Sequence, residues 1–382
     1  MNLAKRVRLY DCTLRDGEQT PGVVFRKDEK VKIALALDDI GITRIEAGMP
    51  VVSPEDKQAA KEIAQLRLNA EVWGFGRCVK SDIDVNIDCG VDGIICEIAT
   101  SELKQKAYGF DRDEVIQRAV EALSYARERG VRTAFFAVDM TRSDLDYLKR
   151  IYTSAVKQGH ANEVVVVDTL GVALPEAMYF LTRKIKEWVD VPVHIHCHND
   201  FGLATACTLA GIKAGAEYAH VTVNGLGEKT GNADLAETSL ALRMLCNVDT
   251  GIKFEKLCQL SRMVEDISGV RVPPGKPVVG ANVFRRESGL AVQQLLKYPP
   301  SVESYVPEFV GGKRQIVIGK KSGKHAIEHK LKEIDIHATE AQIESILQLV
   351  KTESEKNKGL VNDAQFKAIA RRVVSTKFDN GE

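Results

Sequence analysis

The feature that most constrains this chain is a strict alternation of strand-like and helix-like segments. Strand-like runs stand at Val7–Thr13, Ile42–Gly48, Ala70–Phe75, Gly93–Ile98, Arg132–Val138, Glu163–Asp168, Val191–Cys197 and Tyr218–Val223. Between them lie helical patterns at Lys27–Asp39, Pro54–Gln65, Ser81–Asn86 (short), Arg112–Arg129, Ser143–Gln158, Pro175–Glu187 and Leu203–Ala214, and a last one follows at Asp234–Cys246. Strict alternation implies a parallel sheet with helical crossovers. Eight β-then-α units within about 245 residues predict an α/β fold, a (β/α)8 TIM barrel. The competing fold is an open doubly wound sheet, which usually carries a Gly-rich turn after its first strand. Here Leu14-Arg-Asp-Gly-Glu-Gln19 follows instead, so no dinucleotide fingerprint is present.

The texture changes after the barrel. Phe254–Ile267 reads as one more helix, and Val272-Pro-Pro-Gly-Lys-Pro277 as a linker by composition. A Gly- and Lys-rich stretch from Gly311 to Lys324 follows. Glu340–Lys356 and Asp363–Val374 then form an amphipathic helix pair. The expected organisation is a catalytic barrel over 1–270, a linker and lid subdomain over 271–330, and a helical subdomain over 331–382.

Composition narrows the classes of function. The 382 residues carry 53 Lys+Arg against 53 Asp+Glu, so no net field favours nucleic acid or an anionic membrane. No apolar run is long enough to span a bilayer. Lys5, Arg6 and Arg8 lead into no long apolar stretch, so no signal peptide is expected. The eight cysteines form no CxxC and several sit in apolar strands, which reads as reduced, mostly buried thiols of a cytoplasmic protein. Cys12 and Cys197 lie near the motifs below and are the two thiols that could be reactive.

Chemistry in such a barrel sits at the C-terminal ends of the strands. The first strand ends in Arg15-Asp-Gly-Glu-Gln19, the seventh in His194-Ile-His-Cys-His-Asn-Asp200, and the eighth in Asn224-Gly-Leu-Gly-Glu-Lys-Thr-Gly-Asn232. Alternate residues of a strand share a side, so His196 and His198 face the same way. Two imidazoles plus the Asp16 carboxylate supply three ligands and leave positions open for water and substrate. A divalent metal (Mg, Mn or Zn) held by Asp16, His196 and His198 is expected, with Asn232 as a weaker or water-mediated ligand. A hydrogen-bonded pair of core histidines is the alternative.

Arg15 should sit at the rim, where its charge can stabilise an enolate or alkoxide. Otherwise it forms a structural ion pair with Glu46 or Glu97. Arg77 could hold a substrate carboxylate bidentately or close a rim ion pair. Thr169 could contact the substrate or serve a turn. Side-chain recognition is expected near Glu46, Arg77, Glu97 and Thr100. Gly225, Gly227 and Gly231 suggest a loop whose backbone approaches a ligand closely.

Asp11-Cys-Thr-Leu-Arg-Asp-Gly-Glu-Gln19, His196-Cys-His-Asn-Asp200 and Asn224-Gly-Leu-Gly-Glu-Lys-Thr-Gly-Asn232 resemble the DRE-TIM metallolyase superfamily. Within it the chain is similar to the homocitrate synthase and 2-isopropylmalate synthase family, which includes citramalate synthase. The resemblance extends past the barrel to Pro277-Val-Val-Gly280 and Ile318-Gly-Lys-Lys-Ser-Gly323. It implies a Claisen-type condensation of an acyl-CoA, typically acetyl-CoA, with a 2-oxo acid that chelates the metal. The product would be a 2-hydroxy di- or tricarboxylic acid, and the enzyme a homocitrate synthase-like acyltransferase. By motif match it implies that Arg15 polarises the reacting oxygens and that Thr169 contacts the substrate; with the strand-end reading, the catalytic candidates are Arg15, Asp139 and Glu228, and the substrate-binding candidates Arg15, Gln19, Glu46, Arg77 and Thr169. It assigns the metal to Asp16, His196, His198 and Asn232, and it implies a homodimer. The chain length leaves too little for the leucine-sensing domain of the long 2-isopropylmalate synthases, which favours the short type.

Two departures stand out. The synthases ordinarily end strand 5 with F-S-x-E-D. Here the segment reads Phe135-Phe-Ala-Val-Asp139, with Val138 at the Glu position. After the barrel they ordinarily carry H-E-S-G-I-H, whereas Arg286-Glu-Ser-Gly-Leu-Ala291 stands here. That Glu and the second His are associated with activating the acyl-CoA, and neither Val nor Ala moves a proton. Three readings follow. Another group, among Asp139, His194, His325 and Lys321, supplies the base. Alternatively, the chain runs a related metal-dependent lyase or aldolase step, or it binds metal and keto acid without condensing them.

Overall fold

The computed structural model describes residues 7–375. The basic residues Lys5 and Arg6 lie outside the described residues. Eight strands close into one barrel in chain order: β1 (Arg8–Asp11), β2 (Arg44–Glu46), β3 (Glu71–Arg77), β4 (Gly93–Ala99), β5 (Arg132–Val138), β6 (Glu163–Asp168), β7 (Val193–Cys197) and β8 (Tyr218–Val221). Every neighbouring pair is parallel, and β8 pairs back on β1 with Arg8 opposite Tyr218 and Asp11 opposite Val221. The (β/α)8 expectation holds.

The reason is visible in β6, whose Glu-Val-Val-Val-Val-Asp is buried throughout. A parallel strand covered by helices on one face and filled by side chains on the other reads as continuous β-branched sequence. Local signals place the crossovers. Ser53 accepts from the Asp56 N–H with Pro54 in the first helical turn, and Asp111, Asp144 and Asp234 accept likewise from Glu114, Tyr147 and Glu237. Each satisfies one of the free N–H groups at a helix start. Close packing is enforced at Gly93, where a Cβ would come within 2.6 Å of the Trp73 ring.

Two helices extend the sequence reading. The segment after β3 is helical over Lys80–Cys89, longer than the expected short turn. A helix over Glu102–Tyr108 follows β4 and was not expected, because Glu-Leu-Lys-Gln-Lys-Ala-Tyr carries almost no apolar stripe. It is held by its cap, Ser101 accepting from the Lys104 N–H.

Contacts divide the chain into two units, with the boundary between Val272 and Pro273. The linker composition at 272–277 marks that boundary. The expected further division at 330/331 is corrected. Val292, Leu295, Ile316 and Ile318 share one apolar core with Ile346, Val350, Phe366 and Val373, so the lid and helical pieces form a single unit. Its helices are Gly289–Lys297, Lys324–Glu333, Glu340–Asn357 and Asp363–Ser375, with a parallel strand pair Arg285–Arg286 and Gln315–Ile316. The first two helices escape periodicity because one opens on glycine and the other is mostly charged.

Candidate active site

The ends of β1 and β7 and the loop after β8 converge on a cavity of about 140 Å3. Asp16, one residue after Arg15, puts Oδ2 at 3.5 Å from His196 Nε2 and 3.7 Å from His198 Nε2. The two Nε2 atoms are 3.3 Å apart. All three side chains are buried. Three electron-pair donors face one another with no proton needed between them, at the spacing of neighbouring ligands about 2.1 Å from a common centre. Burial keeps both imidazoles below their ordinary range, His196 at about 4, so they present neutral rings. Burial would raise Asp16, but the Arg15 guanidinium beside it holds it well below the usual carboxylate range.

Asn232 is buried and bridges to His198. Its Nδ2 donates to the Leu226 carbonyl at 3.2 Å while its Oδ1 has no partner. His198 Nδ1 is likewise buried and unpartnered. The orphaned Asn232 Oδ1 and the triangle of Asp16, His196 and His198 fit a divalent cation. Gly227 explains the loop chemistry: a Cβ there would lie 2.1 Å from Asn232 Nδ2 and 2.9 Å from Asp16 Oδ1. Glu228 donates its N–H to Asp16 Oδ1 at 3.1 Å and lines the cavity.

The orientation of His196 is set from below, along the barrel axis. Glu163 is lowered to about 2, against the effect of its burial, by His194 and Arg44. As a carboxylate it accepts from His194 Nε2–H at 2.6 Å. His194 Nδ1 must then accept from His220 Nε2–H at 3.0 Å, and His220 Nδ1 from His196 Nδ1–H at 3.3 Å. All protons point one way, which leaves the His196 Nε2 lone pair facing Asp16 and His198. His220 stacks on Tyr10 at 4.2 Å and was not singled out by the motifs. The available signal was parity, since His220 shares the strand face of Tyr218.

Arg15 is buried over the Phe75 ring at 4.1 Å. Its Nε donates to Glu46 at 2.7 Å and one terminal nitrogen to Asp16 at 2.7 Å, while the other terminal nitrogen has no partner. Arg15 thus combines the ion pair and the free donor that the sequence left as alternatives. Gln19 and Thr169 line the cavity, the Thr169 hydroxyl oxygen accepting from the Asp139 N–H at 2.8 Å.

Other expected residues are not brought in. Glu46 is fully buried beneath Arg15 and acts through it. Arg77 closes its fork on Asp82 at 2.8 and 2.9 Å, the rim ion pair foreseen as its alternative. Asp139 adopts a left-handed backbone (φ 63°) and gives its buried carboxylate to Ser101 and to Arg142 at 2.9 Å. It lines no part of the cavity, so it is corrected from base candidate to an anchor of the β5 turn. His194 is likewise committed to the axial line. Lys321 and His325 lie in the second unit, His325 against Glu328 at 3.1 Å. Cys12 and Cys197 are buried thiols whose pKa burial pushes well above the usual range, which disfavours the nucleophilic thiolate at both. All eight cysteines are free. Met49, Phe75, Lys104, Tyr108 and Phe136 also line the cavity and were missed. Lys104 and Tyr108 come from the unexpected helix.

The HMGL-like family model matches residues 6–264, and the model for the homocitrate synthase post-HMGL domain matches 278–358. The chain is 45% identical to 2-isopropylmalate synthase of Methanocaldococcus jannaschii, over 98% of this chain and 73% of that one. It is 43% identical to homocitrate synthase AksA of Methanopyrus kandleri, over 100% of this chain and 96% of that one. Among solved structures, the HMG-CoA lyase of Bacillus subtilis matches with a TM-score of 0.64 at 18% identity, over 73% of this chain and 98% of that one. The lyase of Pseudomonas aeruginosa matches at 0.63 and 23%, over 71% and 96%. These two show the barrel fold. Among the described residues no helix is long and apolar enough to cross a membrane. The chain belongs to the HMGL-like family and is an acyltransferase of its synthase type.

Proposed function

We propose that the chain condenses an acyl-CoA, acetyl-CoA in the first place, with a 2-oxo acid at the mouth of the barrel, giving a 2-hydroxy di- or tricarboxylic acid. The observation that carries this is the triangle of Asp16, His196 and His198 beside the unpartnered terminal nitrogen of Arg15. Asp16, His196 and His198, with Asn232 in support, would hold a divalent metal, which would supply Lewis-acid polarisation to a keto oxygen. The rest falls to the chain. Arg15 offers a fixed, desolvated N–H to the oxygen on which negative charge develops. Thr169 and Gln19 stand where they can orient the acid. Glu228 closes one wall of the cavity while its N–H steadies Asp16. The apolar rings of Phe75 and Phe136 exclude water.

The test is CoA thiol release from acetyl-CoA with 2-oxoglutarate, 2-oxoisovalerate, pyruvate and oxaloacetate, each with Mg2+, Mn2+ or Zn2+. Release with at least one acid, lost on chelation and lost in His196→Ala, supports the reading. Absence of thiol release with every acyl-CoA and acid offered overturns it.

A further inference from the structure

The mouth cavity contains a carboxylate that neither the metal triangle nor the strand-end motifs account for. Glu97 is the fifth residue of β4. It lines the mouth cavity together with Asp16, His196 and His198. It also lines a second, mostly apolar cavity of about 320 Å3, which shares Glu97, Tyr108 and Val138 with the first. Among the described residues no side chain donates a hydrogen bond to its carboxylate and none forms an ion pair with it. Of the cations near it, the Arg77 fork is committed to Asp82 and Arg15 spends two nitrogens on Glu46 and Asp16, while Lys104 lines the same cavity without bonding Glu97.

The register places Glu97 beside the gap that the departures from the family pattern create. β4 and β5 pair with Glu97 opposite Phe136 and Ala99 opposite Val138. Val138, where the synthases ordinarily carry a glutamate, therefore meets the same cavity wall one strand away. Its side chain leaves the shared space apolar. The Phe136 ring packs on His196 at 5.2 Å, which ties that wall to the metal triangle.

We propose that Glu97 is the base that removes the proton from the acyl-CoA methyl group, acting from β4 in place of the carboxylate that position 138 lacks. This rests on the condensation reading. In the step the methyl C–H bond breaks, its proton forms an O–H bond with the Glu97 carboxylate, and the electron pair moves onto the thioester oxygen as an enolate. The enolate carbon then forms the C–C bond to the keto carbon, whose π pair becomes an alkoxide. Water cleaves the thioester, releasing the CoA thiol and a carboxylate. The alkoxide gains a proton and Glu97 returns its own to solvent, so no redox partner is needed.

Environment suits the role. Burial raises the Glu97 carboxyl above its usual range, and Arg15, Lys104 and Arg77 oppose this while Asp82 reinforces it. From the packed elements these are the charged groups that face it: Arg15 after β1, Arg77 at the end of β3, Asp82 on Lys80–Cys89 and Lys104 on Glu102–Tyr108. A base nearer the working pH is the better proton acceptor.

The experiment compares wild type, Glu97→Gln and Glu97→Gln with Val138→Glu, using the acid and metal that give thiol release. Three quantities are read: kcat, KM for the acid, and deuterium wash-in to the acetyl-CoA methyl in heavy water. Glu97→Gln should lower kcat by about a hundredfold or more and abolish wash-in. KM for the acid should stay within about threefold, since a base acts in the transition state. The acid limb of the pH–rate profile should vanish, and the added Val138→Glu should restore at least about tenfold. Glu97→Asp, which keeps the charge, should retain the acid limb and serves if Glu97→Gln does not fold. Undiminished wash-in in Glu97→Gln, or loss of wash-in in Glu228→Gln instead, overturns the assignment while leaving the condensation intact. A wild-type enzyme that releases no thiol overturns both.

Discussion

Arg15 condenses the logic of the site into one side chain. Its Nε and one terminal nitrogen are spent on Glu46 and Asp16, which fix the plane of the guanidinium over Phe75. The remaining nitrogen is buried without a partner, and such a donor is costly unless a ligand meets it. A lysine has no fork to divide in this way. Arg15→Lys is therefore expected to lower kcat/KM by about a hundredfold while metal affinity changes little. Steady-state kinetics alongside a metal titration checks the split, and an equal loss in both would refute it. The neighbouring contrast is Arg77. Its sequence position at a strand end is as suggestive as that of Arg15, yet Asp82 captures it from the following helix.

The strands supply more than positions for ligands. Glu163, His194, His220 and His196 come from β6, β7, β8 and β7, and only barrel closure lines them up. Arg44 from β2 completes the line below, bonding Glu163. The line carries a pH dependence whose sign follows from Glu163. Its folded pKa of about 2 lies below the ordinary 4.5, so between those values the unfolded chain binds more protons. The stability it contributes is full above pH 4.5 and is lost as pH falls toward 2. Denaturant unfolding at pH 5 and pH 3 should show a drop in wild type that is smaller in Glu163→Gln. The same substitution should weaken metal binding by about tenfold or more, because the proton direction along the line is no longer enforced. Equal pH slopes in the two proteins would sink this account.

The molecule is built on two hydrophobic cores, one in each unit. Ile346 is fully buried in the second, among Leu347, Val350 and Phe366. Ile346→Ala is expected to cost about 2–4 kcal/mol. Distant sites without shared partners behave independently, so the loss should be local. Hydrogen exchange should accelerate in Glu340–Asn357 and Asp363–Ser375 and stay unchanged in β4 to β7. Acceleration spread evenly over both units would show that the cores are not separate. The sequence reading divided this second unit because its glycine- and lysine-rich middle looks unlike its helices. Burial, which periodicity does not report for short charged helices, joins them.

What was legible in the chain and what was not divides along one physical line. The alternation of β-branched runs and capped helices is local, and together with the lengths of the connections it leaves a parallel eightfold barrel as the consistent outcome. That Asp16, His196 and His198 meet was legible too, because strand parity and strand-end position follow from that fold. Which polar groups satisfy one another was not legible, since each pairing joins elements far apart in sequence. Arg77 read equally as a substrate contact or a rim ion pair and Asp139 as a base candidate, and they are held by Asp82 and Arg142, while Glu97, expected near substrate recognition or in an ion pair, stands unpaired at the mouth. Backbone pattern is set by neighbours along the chain, but the partner of a buried charge is chosen by three-dimensional packing, where a side chain left without one becomes available for chemistry.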